Sequence, residues 1–154
     1  MTLYFAYGSN MSRVAMKRRC PQARALGVAT LAGWRFIVTL DGYASVVRAA
    51  GSEVIGVLWD LTARDLAALN AYESVDSKLY GRRRLVVRHD GEAKSVLVYV
   101  ARRSEEGRAR PGYMEIVIDA ARDWNFPADY VRTLERRLSS GLRGARAVET
   151  GEVA

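Results

Sequence analysis

At 154 residues, with 49% hydrophobic and 9% aromatic residues, the chain fits one globular domain with a sizeable core. A single cysteine, Cys20, excludes an internal disulfide, and beside a single histidine, His89, it excludes a Cys/His zinc set, so metal chemistry would have to rest on carboxylates alone. The formal charge of +7, from 24 basic and 17 acidic residues, favours acidic partners without naming one, while the absence of any apolar run of bilayer length and of a basic, leucine-rich leader gives the expectation of a cytoplasmic protein with no membrane partner.

Taken in order, the chain opens on Leu3-Tyr4-Phe5-Ala6-Tyr7-Gly8-Ser9-Asn10, an aromatic-rich run broken by Gly-Ser-Asn. It reads as a strand feeding a tight loop. Gly8 can adopt backbone angles closed to other residues, and Ser9 and Asn10 can cap the next turn, so that several N–H groups converge on one anion-attracting point. Met11 to Cys20 follows as a short helix whose positive end faces the loop. Cys20, after Lys17-Arg18-Arg19, has no base nearby in sequence and reads as a packing residue.

Arg24 to Thr39 is aliphatic, β-branched or aromatic with breaks at Gly27 and Gly33, which predicts two strands joined near Ala32-Gly33. After an Asp41-Gly42 turn, Tyr43 to Arg48 and Glu53 to Leu61 read as another strand pair around Ala50-Gly51-Ser52. Thr62 with Asp65 three residues on starts a helix carrying Leu66 and Leu69 and ending near Asn70 to Tyr72. Glu73 then falls at the helix exit, where the helix dipole disfavours a further negative charge. Leu79 to Arg88 and Ser95 to Ala101 form a hairpin across Asp90-Gly91, which places His89 on an exposed turn, a poor position for the base of a catalytic triad.

Arg102 to Arg110, charged and glycine-containing, is expected to be a mobile loop. Tyr113 to Trp124 is helical in pattern, and after Asn125-Phe126-Pro127 a second helix runs through Tyr130, Val131, Leu134 and Leu138 to Gly141. Trp34, Trp59 and Trp124 are expected in the core. Residues 1–141 form the expected domain, with 142–154 a loosely attached tail. The basic residues are mostly arginines, spread along the chain without an aromatic-lined face or a nucleic-acid motif, so no nucleic-acid partner is expected and a solvated surface accounts for them.

Tyr7-Gly8-Ser9-Asn10 on the first strand, Glu73 after a short helix, Tyr80 with Arg82 opening the next strand and Tyr99 on the following one together resemble the γ-glutamylcyclotransferase-like family. Pro111-Gly112-Tyr113 and Phe126-Pro127-Ala128-Asp129-Tyr130-Val131 resemble it too, and the similarity runs to about Leu138. The sequence departs from the family pattern at Asn70, where many members have aspartate, and at Ser74, where many have glycine.

The resemblance implies an α+β fold, a small mixed β-barrel flanked by helices, with a cavity that holds a small-molecule γ-glutamyl substrate. It implies cyclisation of that group to 5-oxoproline with release of the attached amine or amino acid, with no cofactor and no metal. By position, Glu73 is the implied acid/base residue, Tyr7, Gly8, Ser9 and Asn10 the substrate-holding loop, and Tyr99 a wall or hydrogen-bond partner, with Tyr113 lining the same cavity. The residue types suit the chemistry: a tethered amine nucleophile needs folding and one proton-shuttling carboxylate rather than an activated Ser or Cys. A non-catalytic relative that binds a γ-glutamyl or related ligand is the alternative, and sequence leaves the oligomeric state open.

Overall fold

The computed structural model describes residues 1–72 and 79–141, with side chains through Leu138. Five strands close into a mixed barrel: β1 (Thr2–Ala6), β2 (Arg24–Val38), β3 (Ala44–Leu61), β4 (Tyr80–His89) and β5 (Glu92–Ala101), in the order β1-β3-β2-β4-β5. Helices α1 (Arg13–Arg19), α2 (Ala63–Tyr72), α3 (Tyr113–Asp123) and α4 (Ala128–Gly141) complete it, giving the α+β barrel that the resemblance implies. All ladders are antiparallel except the seam between β1 and β5, where Tyr4 pairs with Leu97 in parallel. The tail after Gly141 lies outside the described residues.

Strand alternation explains both layers of the core. Phe5 pairs with Leu58 and Leu31 with Val54, which puts these four fully buried side chains on one face. Tyr4 pairs with Trp59 on the opposite face, where the Trp59 ring meets Trp124 edge-on at 6.3 Å. Trp34 and Trp59 are buried as expected; Trp124 is half-buried, and its Nε1 donates to the Met11 carbonyl at 2.8 Å. Gly56 is required on β3, because a Cβ there would sit 2.3 Å from the Ala6 carbonyl oxygen and 2.7 Å from the Phe5 ring.

The two strand pairs expected between Arg24 and Leu61 are one long hairpin. Ala32 faces Glu53 but Trp34 faces Arg48, so the register jumps where Gly33 (φ +84°) and Gly51 (φ +81°) bend the strands. The glycines read as turns are therefore bulges within continuous strands, a role that a short sequence window cannot separate from chain reversal.

Two further expectations are corrected. His89 is not exposed: it is 6% accessible, shares a face of β4 with buried Val87, and its Nδ1 donates to the Val28 carbonyl at 3.0 Å. The segment from Arg102 to Arg110 does not hang free either. Thr39 bridges Glu106, Gly107 N donates to Val38 O at 2.8 Å, and Arg110 N donates to Gly42 O at 3.1 Å, lacing the segment to the tip of the β2–β3 hairpin. Its Glu106 carboxylate pairs with Arg35 at 2.9 Å and Arg137 at 3.7 Å, which ties α4 to the same hairpin.

Candidate active site

β1 ends at Ala6, and a 3₁₀ turn over Ser9–Met11 follows, closed by Met11 N to Gly8 O at 3.1 Å and Ser12 N to Ser9 O at 3.0 Å. Those bonds leave the amides of Gly8, Ser9 and Asn10 outside the turn's own ladder, as at any helix start. Gly8 has φ −117°, so a left-handed backbone is not what calls for glycine there. The capping expected of Ser9 and Asn10 is done by Ser12, whose Oγ accepts from Ala15 N at 3.2 Å and starts α1.

The loop's side chains are buried and engaged. Tyr7 is 3% accessible and its hydroxyl donates to the Tyr99 carbonyl oxygen at 2.5 Å. Asn10 is fully buried: its Nδ2 donates to the Tyr4 hydroxyl at 3.1 Å, while its Oδ1 accepts from the Arg19 guanidinium. The same Arg19 nitrogen lies 3.3 Å from Ser9 Oγ. The Tyr4 and Tyr99 rings meet edge to face at 5.7 Å across the parallel seam, a favoured aromatic geometry. Tyr99 then donates its hydroxyl to Asn70 Oδ1, near the end of α2.

Tyr7, Ser9, Asn10 and Tyr99 are thus brought into one buried cluster at the barrel seam, linked through Asn70 to the helix that precedes Glu73. Glu73 itself lies outside the described residues. Tyr113 is fully buried at the start of α3; its hydroxyl accepts from Ala44 N at 3.3 Å and its ring meets Tyr43 edge-on at 5.5 Å. Tyr80 donates to Ala44 O at 2.6 Å, so Tyr80 and Tyr113 together pin the first residue of β3.

Two members of the cluster escape a reading of the sequence alone. Tyr4 looks like any strand aromatic, although it alternates away from Phe5 onto the face that Tyr99 shares. Arg19 is hidden in a basic run; the available signal was its place four residues after Ala15, which puts it on the buried side of α1.

The family model described as "Gamma-glutamyl cyclotransferase, AIG2-like" matches residues 4–125, and the chain belongs to that family. Gamma-glutamylcyclotransferase of Homo sapiens is 27% identical over 144 residues, spanning 86% of this chain and 77% of that relative. The Bos taurus protein of the same name is 25% identical over 166 residues, spanning 98% and 86%. Among solved structures, a gamma-glutamyl cyclotransferase superposes with a TM-score of 0.82 at 25% identity, covering 99% of this chain and 93% of that one. YkqA from Bacillus subtilis gives 0.79 at 25% identity over 93% of this chain and 56% of its own.

Proposed function

We propose that the protein cyclises the γ-glutamyl group of a small γ-glutamyl compound to 5-oxoproline and releases the attached amine or amino acid. The observation that carries this reading is the span of the family match, which includes both the Tyr7-Gly8-Ser9-Asn10 loop and Glu73. Relatives that carry the name gamma-glutamylcyclotransferase support it. No helix among the described residues is long and apolar enough to cross a membrane, and a reaction on a small polar substrate agrees with the cytoplasmic placement expected from the sequence.

In the proposed reaction the substrate's α-amino nitrogen attacks its own side-chain carbonyl carbon. The new C–N bond closes the five-membered lactam, and the old C–N bond to the leaving amine breaks. The Glu73 carboxylate accepts the proton that the attacking nitrogen loses and returns it to the departing nitrogen, so one group serves both steps. Atoms balance without water, oxidant or reductant. The nucleophile is already tethered, so the protein's main work is to fold the glutamyl chain into an attacking shape. Backbone N–H groups of the Gly8-Ser9-Asn10 turn hold the α-carboxylate or the developing oxyanion, while Tyr99 and Tyr113 wall the cavity.

The test is incubation of the pure protein with γ-glutamyl dipeptides, γ-glutamylamines and glutathione, with α-glutamyl dipeptides as controls. The expected result is 5-oxoproline and free amine in equal amounts from at least one γ-glutamyl compound and from no α-glutamyl one. Release of glutamate in place of 5-oxoproline would mean hydrolysis and overturn the reading. Saturable binding of γ-glutamyl compounds without any product would favour a non-catalytic binding protein.

A further inference from the structure

Arg19 ends α1 half-buried, and its single guanidinium touches two elements far apart in the chain. One nitrogen donates to Asn10 Oδ1 and lies 3.3 Å from Ser9 Oγ. The guanidinium carbon sits 4.0 Å from the centroid of the Tyr72 ring. Tyr72 is the last described residue of α2, and Glu73 follows it directly in sequence.

We propose that Arg19 is a positioning residue, a clasp that ties the Ser9–Asn10 turn of the substrate loop to Tyr72 on α2. The proposal rests on the reading of Glu73 as the acid/base residue. Arginine suits the task in a way that lysine does not. Its planar group offers a face to an aromatic ring and N–H donors along its edge at the same time, whereas an ammonium is a compact point charge with no face to stack.

The contact matters because the loop and the carboxylate come from different elements. Asn10 is held on its other side by Tyr4, and Tyr99 reaches α2 through Asn70. Arg19 supplies a second connection, from the loop itself to Tyr72 on that helix. Misplacement of reacting groups by about 1 Å can cost on the order of 100-fold in rate, so a loosened clasp shows in turnover before it shows in the fold.

The experiment uses the full chain with Arg19→Lys, Arg19→Met, Tyr72→Leu and the double variant Arg19→Met/Tyr72→Leu. Thermal melts check folding, 5-oxoproline release gives kcat and KM, and hydrogen exchange reads the amides of residues 9–12. Arg19→Lys is expected to lower kcat about 10-fold or more with a much smaller change in KM. The double variant is expected to lose no more than Arg19→Met alone, because both changes break one connection. Tyr72→Leu should speed exchange in residues 9–12, although it lies far away in the chain. Additive losses in the double variant, full activity in Arg19→Lys, or unaltered exchange at the loop in Tyr72→Leu would each overturn the clasp. A parent protein that makes no 5-oxoproline would instead refute the proposed reaction, and the exchange measurement still decides the clasp.

Discussion

The Tyr7 hydroxyl donates to the backbone carbonyl of Tyr99 at 2.5 Å, joining residues 92 positions apart at the seam that closes the barrel. Tyr7→Phe keeps the ring and its edge-on contact with Phe36 at 6.5 Å but leaves the buried carbonyl one partner short. The expected loss of stability is about 1–3 kcal/mol, read from the urea midpoint. A variant as stable as the parent would show that this bond does not help to hold the seam.

Glu73→Gln should abolish most turnover while ligand affinity survives. Glutamine keeps the size and one acceptor of glutamate but takes no proton from the attacking amine. The expected drop in kcat is about 10²–10⁴-fold, with 5-oxoproline release and equilibrium binding of a γ-glutamyl compound measured on the same preparation. Turnover within a few-fold of the parent removes Glu73 from the proton-transfer step.

The Glu106 network should make stability depend on acid pH. The hydrogen bond from Arg35 holds the Glu106 carboxyl below its ordinary value of 4.5; partial desolvation opposes this, and the charges of Arg35 and Arg137 add to it. A carboxyl depressed on folding contributes stability above its unfolded pKa and loses it as pH falls through the folded one. Glu106→Gln should therefore be less stable than the parent at pH 7, and the gap should close below pH 4.5. The pairs are partly solvent-exposed and screened by water, so the gap at pH 7 is on the order of 0.2–1 kcal/mol. A gap that stays constant from pH 7 to pH 3 would assign it to packing rather than charge.

Gly56→Ala tests how closely β1 must approach β3. The added methyl meets the Ala6 carbonyl and the Phe5 ring well inside contact distance, and Ala6 immediately precedes the Tyr7-Gly8 loop. A loss of about 1–3 kcal/mol is expected from overpacking, accompanied by slower 5-oxoproline release as the loop shifts. Gly81→Ala is the control, because a Cβ there lies 3.4 Å from the nearest atom, the end of the Arg102 side chain. Equal melting temperatures for the two variants would contradict this account.

Local pattern made most elements legible. Thr62 caps α2 through Asp65 N at 3.1 Å, because a helix start carries its own chemical signal. Gly33 and Gly51 misled because positive φ is shared by turns and bulges, and only the cross-strand partner distinguishes them. His89 misled for a related reason. Its place beside Asp90-Gly91 predicts exposure, but its parity on β4 and the Val28 carbonyl decide its burial. Barrel closure was not local at all: the Tyr4–Leu97 seam is a single long-range pairing, reached from sequence only through the family resemblance. For Arg19 the spacing from Ala15 signals only its side of α1, since nothing in Lys17-Arg18-Arg19 announces Asn10 on one side and Tyr72 on the other.

The parallel seam has a consequence for biosynthesis. The β2–β3 and β4–β5 hairpins can each form from neighbouring chain, but β1 gains its second neighbour only when Leu97 has emerged from the ribosome. Closing so long a loop is the slow, entropically costly part of such a topology. Until then β1 carries an unpaired edge, the kind of edge that recruits chaperones or other strands. Tyr7 waits for Tyr99 throughout that interval, so the cluster at the seam comes into being only once β5 is available to pair.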